Sequence, residues 1–181
     1  MVSLLRGTEL RGRAVIDLSA AELIGELTDI VLDPAGQRVA GLIVAQRPSR
    51  AGPRRLLFVP ASAVHSLGPD AIMVRQAGQG DGNLGQLAHL PRLSRVVGRT
   101  VVDGSGRVLG VLDNVQIHAQ DGRILRYPLR AAHFLKRLER WLSGETAELR
   151  WDYVAADAPI DVGHLALTVP DVAVVHLLVE E

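Results

Sequence analysis

The residues best suited to chemistry in this chain are carboxylates. Asp17, Asp29, Asp33 and Asp70 all fall in the first half. Hard cations take several oxygen ligands, which makes Asp29 and Asp33 candidates for a metal site. Their setting argues for a plainer role. Asp17, Asp33 and Asp70 flank turn signals, where an Asp side chain bonds the local backbone, and Asp29 belongs to the solvated face of an alternating strand. The histidines His65, His89, His118, His133, His164 and His176 show neither an i,i+4 pair nor HExxH spacing. Ser62, Ser66 and Ser105 lack the GxSxG setting of a nucleophile elbow. Gly104-Ser105-Gly106 resembles a phosphate-cradling loop, but it falls in a short hairpin and not before a helix. The chain has no cysteine, which excludes disulfides, thiolate metal sites and a cysteine nucleophile. The residues therefore predict no catalytic site, no cofactor and no metal, and a protein that works by binding.

Composition narrows the partner. Formal net charge is +0, from 20 basic and 20 acidic residues, whereas nucleic-acid binders carry a basic excess or patch. All but one of the basic residues are Arg, Lys136 being the exception. No apolar run approaches the ~20 residues of a membrane span, and the start lacks a signal-peptide core. A cytoplasmic location is expected, with peripheral association with a membrane complex compatible with it. At 3% aromatic content the core must be built from Val, Leu, Ile and Ala.

The elements that position these residues come in two copies. Gly12 to Val44 and Gly98 to Leu129 align: Gly12-Arg13 with Gly98-Arg99, Asp17 with Asp103, and Gly25 with Gly110 after a one-residue deletion. Asp29 then falls opposite Asn114, Asp33 opposite His118, and the turn at Gly36 opposite that at Gly122. The substitutions at Asn114 and His118 weaken any shared cation site. Gly12, Gly25, Gly36, Gly98, Gly110 and Gly122 are read as structural glycines at backbone conformations that side chains disfavour.

Each copy reads as strands: Ala14 to Leu18, Asp29 to Asp33, Val39 to Ala45, Leu56 to Val59 and Ala71 to Val74 in the first. Ser19 to Glu22 has capping-box spacing, but Gly25 stops any helix after one turn. The expected organisation is a first unit at 1–77, a Gly-rich linker at 78–90 and a second unit at 91–181. The second unit carries an inserted amphipathic helix at about 129–143. One face of that helix is apolar with Phe134 and Trp141, and the other holds Lys136, Arg137, Glu139 and Arg140. Lys136, Arg137, Arg140 and Trp141 form its candidate interaction surface.

Gly25-Glu26-Leu27-Thr28-Asp29-Ile30-Val31-Leu32-Asp33, Val39-Ala40-Gly41-Leu42-Ile43-Val44 and Phe58-Val59-Pro60-Ala61-Ser62-Ala63-Val64 together resemble the PRC-barrel family of small β-barrels. Members include the cytoplasmic domain of the reaction-centre H subunit and the C-terminal domain of the ribosome-maturation factor RimM. The paired copies are also similar to the tandem barrels that precede the N-terminal domain of MgtE-type magnesium transporters. The resemblance implies a mainly β protein of two tandem, small, antiparallel PRC-type barrels. Its implied function is that of a non-catalytic adaptor or regulatory module acting through protein–protein contacts. Regulation of magnesium transport and RimM-like assistance in ribosome or RNA processing are the alternatives it carries. Incompletely closed barrels leave edge strands able to pair, so a homo-oligomer is one expectation; two copies packed as an internal pseudo-dimer is another.

Overall fold

The computed structural model describes residues 4–47, 55–75, 85–130, 153–155, 161–162, 166–169 and 174–175. In its first half β2 (Ala14–Asp17), β3 (Glu22–Asp33), β4 (Arg38–Gln46), β5 (Leu56–Pro60), β6 (Val64–Leu67) and β7 (Ala71–Val74) form one sheet in the order β5-β4-β3-β2-β7-β6. The edge strands β5 and β6 are joined only by a 3-10 turn at Ala61–Ala63. Six flat strands would separate the edges by roughly 24 Å, and four residue steps reach at most about 14 Å. The sheet must therefore curl.

The second half repeats the order. β8 (Thr100–Asp103), β9 (Val108–Leu112), β10 (Gln116–His118), β11 (Ile124–Arg130), β12 (Tyr153–Ala155), β13 (Asp161–Val162) and β14 (Ala166–Val169) follow the first half strand for strand, with β9 and β10 together standing for β3. The resemblance implied antiparallel barrels, but the pairing is not purely antiparallel. β2 runs parallel to β7, with Val15 opposite Ile72, and β8 runs parallel to β14, with Val101 opposite Leu167. In each half the chain leaves the opening strand, makes its meander, and returns beside that strand in the same direction.

Two strands extend the second sheet beyond this plan. β1 (Leu4–Arg6), from the extreme start of the chain, pairs with β10, and β15 (Val174–Val175) pairs with β12. Ser19–Ala21, where the capping-box spacing allowed at most one helical turn, is instead the turn of the β2–β3 hairpin, with Ala21 at φ 53°. Leu129 and Arg130, placed at the start of the inserted helix by periodicity, belong to β11, where they pair with Leu112 and Val111. Strand pairing overrides the local helical pattern there. The remainder of that segment, with Lys136, Arg137, Arg140 and Trp141, lies outside the described residues.

One hydrophobic core runs through both halves, joining Leu10, Leu27, Ile30, Leu32 and Leu42 to Leu93, Val96, Leu112, Ile117 and Leu129. Among the described residues no helix is long and apolar enough to cross a membrane.

Candidate functional site

Two of the buried polar residues, Asp29 and Asn114, lie at the junction between the halves. The segment that opens each copy crosses to the other copy and is clasped there. After β1, a 3-10 turn at Gly7–Leu10 places Thr8 against Asn114. Thr8 N–H donates to Asn114 Oδ1 (3.2 Å), and Asn114 Nδ2 donates to Thr8 Oγ1 (2.6 Å). The Val115 N–H also donates to Oδ1 (2.8 Å). In the second copy the single-turn helix α1 (Leu93–Val96) brings Ser94 to Asp29. Asp29 Oδ1 accepts from the N–H groups of Ser94 (3.1 Å) and Ile30 (2.9 Å), and Oδ2 accepts from the Ser94 hydroxyl (2.5 Å). The hydroxyl accepts from an amide in one clasp and donates to a carboxylate in the other, as the two acceptor types require.

The backbone repeats the exchange. Gly7 N–H donates to Val115 C=O (2.8 Å), and Leu32 N–H donates to Pro91 C=O (2.9 Å). Arg6 pairs with Gln116 while Arg92 bridges Val31. The hairpin tips also cross: Val39 N–H reaches Gly122 C=O (2.9 Å) and Ile124 N–H reaches Gln37 C=O (2.8 Å). An ion pair fastens the first arm further, with Arg6 Nη2 2.9 Å from Asp113 Oδ2.

Asp29 is thus 7% exposed, not on a solvated face. The cause is the segment from Pro91 to Val96, which lies over the β3 face that carries Asp29 and Val31: Ser94 bonds Asp29, Arg92 bridges Val31 and the Leu32 N–H reaches the Pro91 carbonyl. Both faces of β3 are covered there, so Asp29, Ile30, Val31 and Leu32 are all buried, while a register shift at Thr28 sets which face each takes. A buried carboxylate is costly unless its lone pairs are filled; here three donors fill them.

Asp33, Asp17, Asp103 and Asp121 are likewise engaged. Asp33 accepts from Gly36 N–H (2.9 Å) and faces Arg38 Nε at 3.6 Å. Asp17 accepts from Ser19 N–H (2.7 Å) in its turn. Asp103, 4% exposed, takes the Ser105 N–H and hydroxyl and the Arg107 N–H. The Ser105 donors of the Gly104-Ser105-Gly106 loop are therefore spent on this carboxylate, and the Gly106 N–H goes to the Asp103 backbone carbonyl (2.9 Å). The Ser105 hydroxyl, helped by the two backbone N–H groups and the Arg107 guanidinium, holds Asp103 below the usual carboxylate range against the opposing effect of burial. Asp121 is also held low, chiefly by the Arg123 N–H and then by His118, whose Nδ1 lies 2.7 Å from Oδ1. Among the described residues no three His, Asp or Glu side chains are grouped to hold a metal ion.

The six glycines divide by cause. Gly12 and Gly98 turn each arm into its opening strand at φ 82° and 86°, and Gly122 has φ 69°. Gly25 and Gly110 instead lie inside β3 and β9, opposite Val15 and Val101. A Cβ at Gly25 would strike the Ala45 carbonyl, and one at Gly110 would sit 2.8 Å from the Arg130 carbonyl oxygen. At Gly36 the Asp33 carboxylate occupies the space. Backbone conformation explains the first group and close approach the second.

One surface keeps unused hydrogen-bonding capacity. Gln46 N–H donates to Arg55 C=O (2.9 Å). In an antiparallel ladder every second residue faces the neighbour, so Leu57 and Val59 bond β4, while Leu56 and Phe58 direct their N–H and C=O groups away from it. No strand lies across them among the described residues. Leu56 is 50% exposed, and Pro60, which has no N–H, closes the strand as edge strands allow. The equivalent strand of the second half differs. There β12 carries β15, with Tyr153 opposite Val175 and Val154 opposite Val174. Tyr153 faces Pro128 as Phe58 faces Ile43. Nothing in the sequence pattern distinguished β5 from an interior strand.

The pattern of the PRC-barrel domain matches residues 3–79, so the chain carries a PRC-barrel domain there. That span includes the arm, which in the structure is lodged on the other half. No curated protein matches the chain.

Proposed function

We propose that this PRC-barrel chain is a non-catalytic protein-binding module, two PRC-type barrel units locked together by exchanged arms, that engages its partner along the open edge of β5. The observation that carries the reading is the pair of outward-facing residues Leu56 and Phe58, at a position where the second half holds an added strand. Strand addition draws affinity from main-chain hydrogen bonds and specificity from alternate side chains. The buried carboxylates support the same reading, because Asp29 and Asp103 are engaged by protein donors. The interlocked core would serve as a rigid platform for the edge.

Affinity capture from native-cell extract tests this with the wild-type chain and Leu56→Pro. Proline at position 56 deletes an N–H that points away from β4 and leaves the internal ladder intact. Proteins captured by the wild type should be lost with the variant. Capture at equal yield by both chains counts against the edge.

A further inference from the structure

We infer that the strand laid along β5 is β5 of a second copy of the chain, antiparallel about a two-fold axis at Leu57, so that Leu56 of each copy faces Phe58 of the other. This rests on the reading of the β5 edge above and names its occupant. In this register Leu56 and Phe58 form hydrogen-bonded pairs in both directions, and every outward N–H and C=O of the two residues is matched. A two-fold axis centred on Phe58 would place Leu56 opposite Pro60, which has no N–H to give, and would leave the Leu56 carbonyl short. The edge is therefore self-complementary about Leu57.

The side chains favour the same register. Leu56, with the highest fractional exposure of the exposed large hydrophobic residues, comes to lie across from a partly buried Phe58, an aromatic–aliphatic cross-strand pair of the stabilising kind. Arg55, exposed at the start of the edge, falls opposite Val59 of the second copy. The two Arg55 residues are then about 13 Å apart along the strands, beyond the ~8 Å over which charges act at physiological salt. The molecule already contains an antiparallel pairing of this kind in β12 and β15. Two five-residue edges bury less than the roughly 1,200 Å² of a standard interface, so the dimer is weak and reversible, and the sheets of two copies join edge to edge.

Sedimentation equilibrium of the full chain from about 5 to 500 μM in physiological salt tests the inference. The expected result is a reversible monomer–dimer equilibrium whose association constant falls at least tenfold in Leu56→Pro. Leu56→Lys alters only a half-exposed side chain and should weaken the dimer comparably at an unchanged melting temperature, which separates loss of pairing from loss of fold. Val108→Lys, at another exposed apolar position, should leave the dimer intact. A wild-type chain that stays monomeric throughout overturns the second-copy assignment; if Leu56→Pro still loses the captured proteins, the edge reading survives without it. A dimer indifferent to both Leu56 substitutions also overturns the assignment.

Discussion

Replacing Asp29 by alanine strips three donors of their acceptor: the N–H groups of Ile30 and Ser94 and the Ser94 hydroxyl. Each lost bond contributes about 1 to 1.5 kcal/mol net, and a buried donor left unpaired costs still more. Relief of the carboxylate's own desolvation offsets part of this. The sum is a destabilisation of about 3 kcal/mol, which for a urea m-value near 2 kcal/mol/M lowers the midpoint by about 1.5 M. Asp29→Asn should behave quite differently. An amide at position 29 can accept both N–H groups and donate to the Ser94 hydroxyl, reproducing the arrangement that Asn114 makes with Thr8. Its cost should stay within about 1 kcal/mol. Urea unfolding followed by far-ultraviolet circular dichroism reads both variants. Two results refute the reasoning: an alanine effect below about 0.5 kcal/mol, as a solvated Asp29 would give, or an asparagine effect as large as that of alanine.

Other expectations follow from the same geometry. Gly25→Ala forces a Cβ into the Ala45 carbonyl and should cost about 3 kcal/mol, whereas Gly12→Ala has open space and bears only its positive φ, at about 1 kcal/mol; equal costs in urea would contradict the division. Tyr127 buries a hydroxyl that has no partner among the described residues, and burial pushes its ionisation well above the ordinary phenol range, so Tyr127→Phe should raise stability by about 1 kcal/mol, and a loss of that size would show a hidden bond. Because Asp103 and Asp121 are held low in the folded chain, their stabilisation is complete above the unfolded carboxylate value near 3.9 and is lost as pH falls through the folded values. The urea midpoint should therefore drop between pH 5 and pH 2, less steeply in Asp103→Asn, and an identical slope in the variant would count against the Asp103 cluster.

How much of this was legible in the sequence depends on the range of the interaction. The hairpin turn at Gly36 and strands such as Ala71–Val74 follow from local pattern and appear where expected. Asp29 was misplaced because the segment that covers its strand face, around Arg92 and Ser94, comes from more than sixty residues downstream and leaves no mark in the local alternation. The arm exchange was invisible because Leu4–Arg6 is too short to read as a strand and pairs with residues more than a hundred positions away. A signal for it does exist. Carried upstream from Gly12 and Gly98, the repeat aligns Arg6 with Arg92, Thr8 with Ser94 and Leu10 with Val96. Matched hydroxyls ahead of matched glycines would have pointed to Thr8 and Ser94 as the partners of Asn114 and Asp29. At Gly25 and Gly110 the constraint is a close carbonyl across the sheet, not the backbone conformation expected, and such an approach cannot be read from one strand alone.

Residue-resolved hydrogen exchange along β5, at rising protein concentration, tests the central claim most directly. In dilute solution the amides of Leu57 and Val59, bonded to β4, should be protected, while those of Leu56 and Phe58 exchange freely. As concentration rises, Leu56 and Phe58 should gain protection together, and in Leu56→Pro Phe58 should gain none. Protection of Leu56 and Phe58 already present in dilute solution would mean that the edge is occupied within the chain. Free exchange at every concentration, with Leu57 and Val59 still protected, would mean that no second copy is added there.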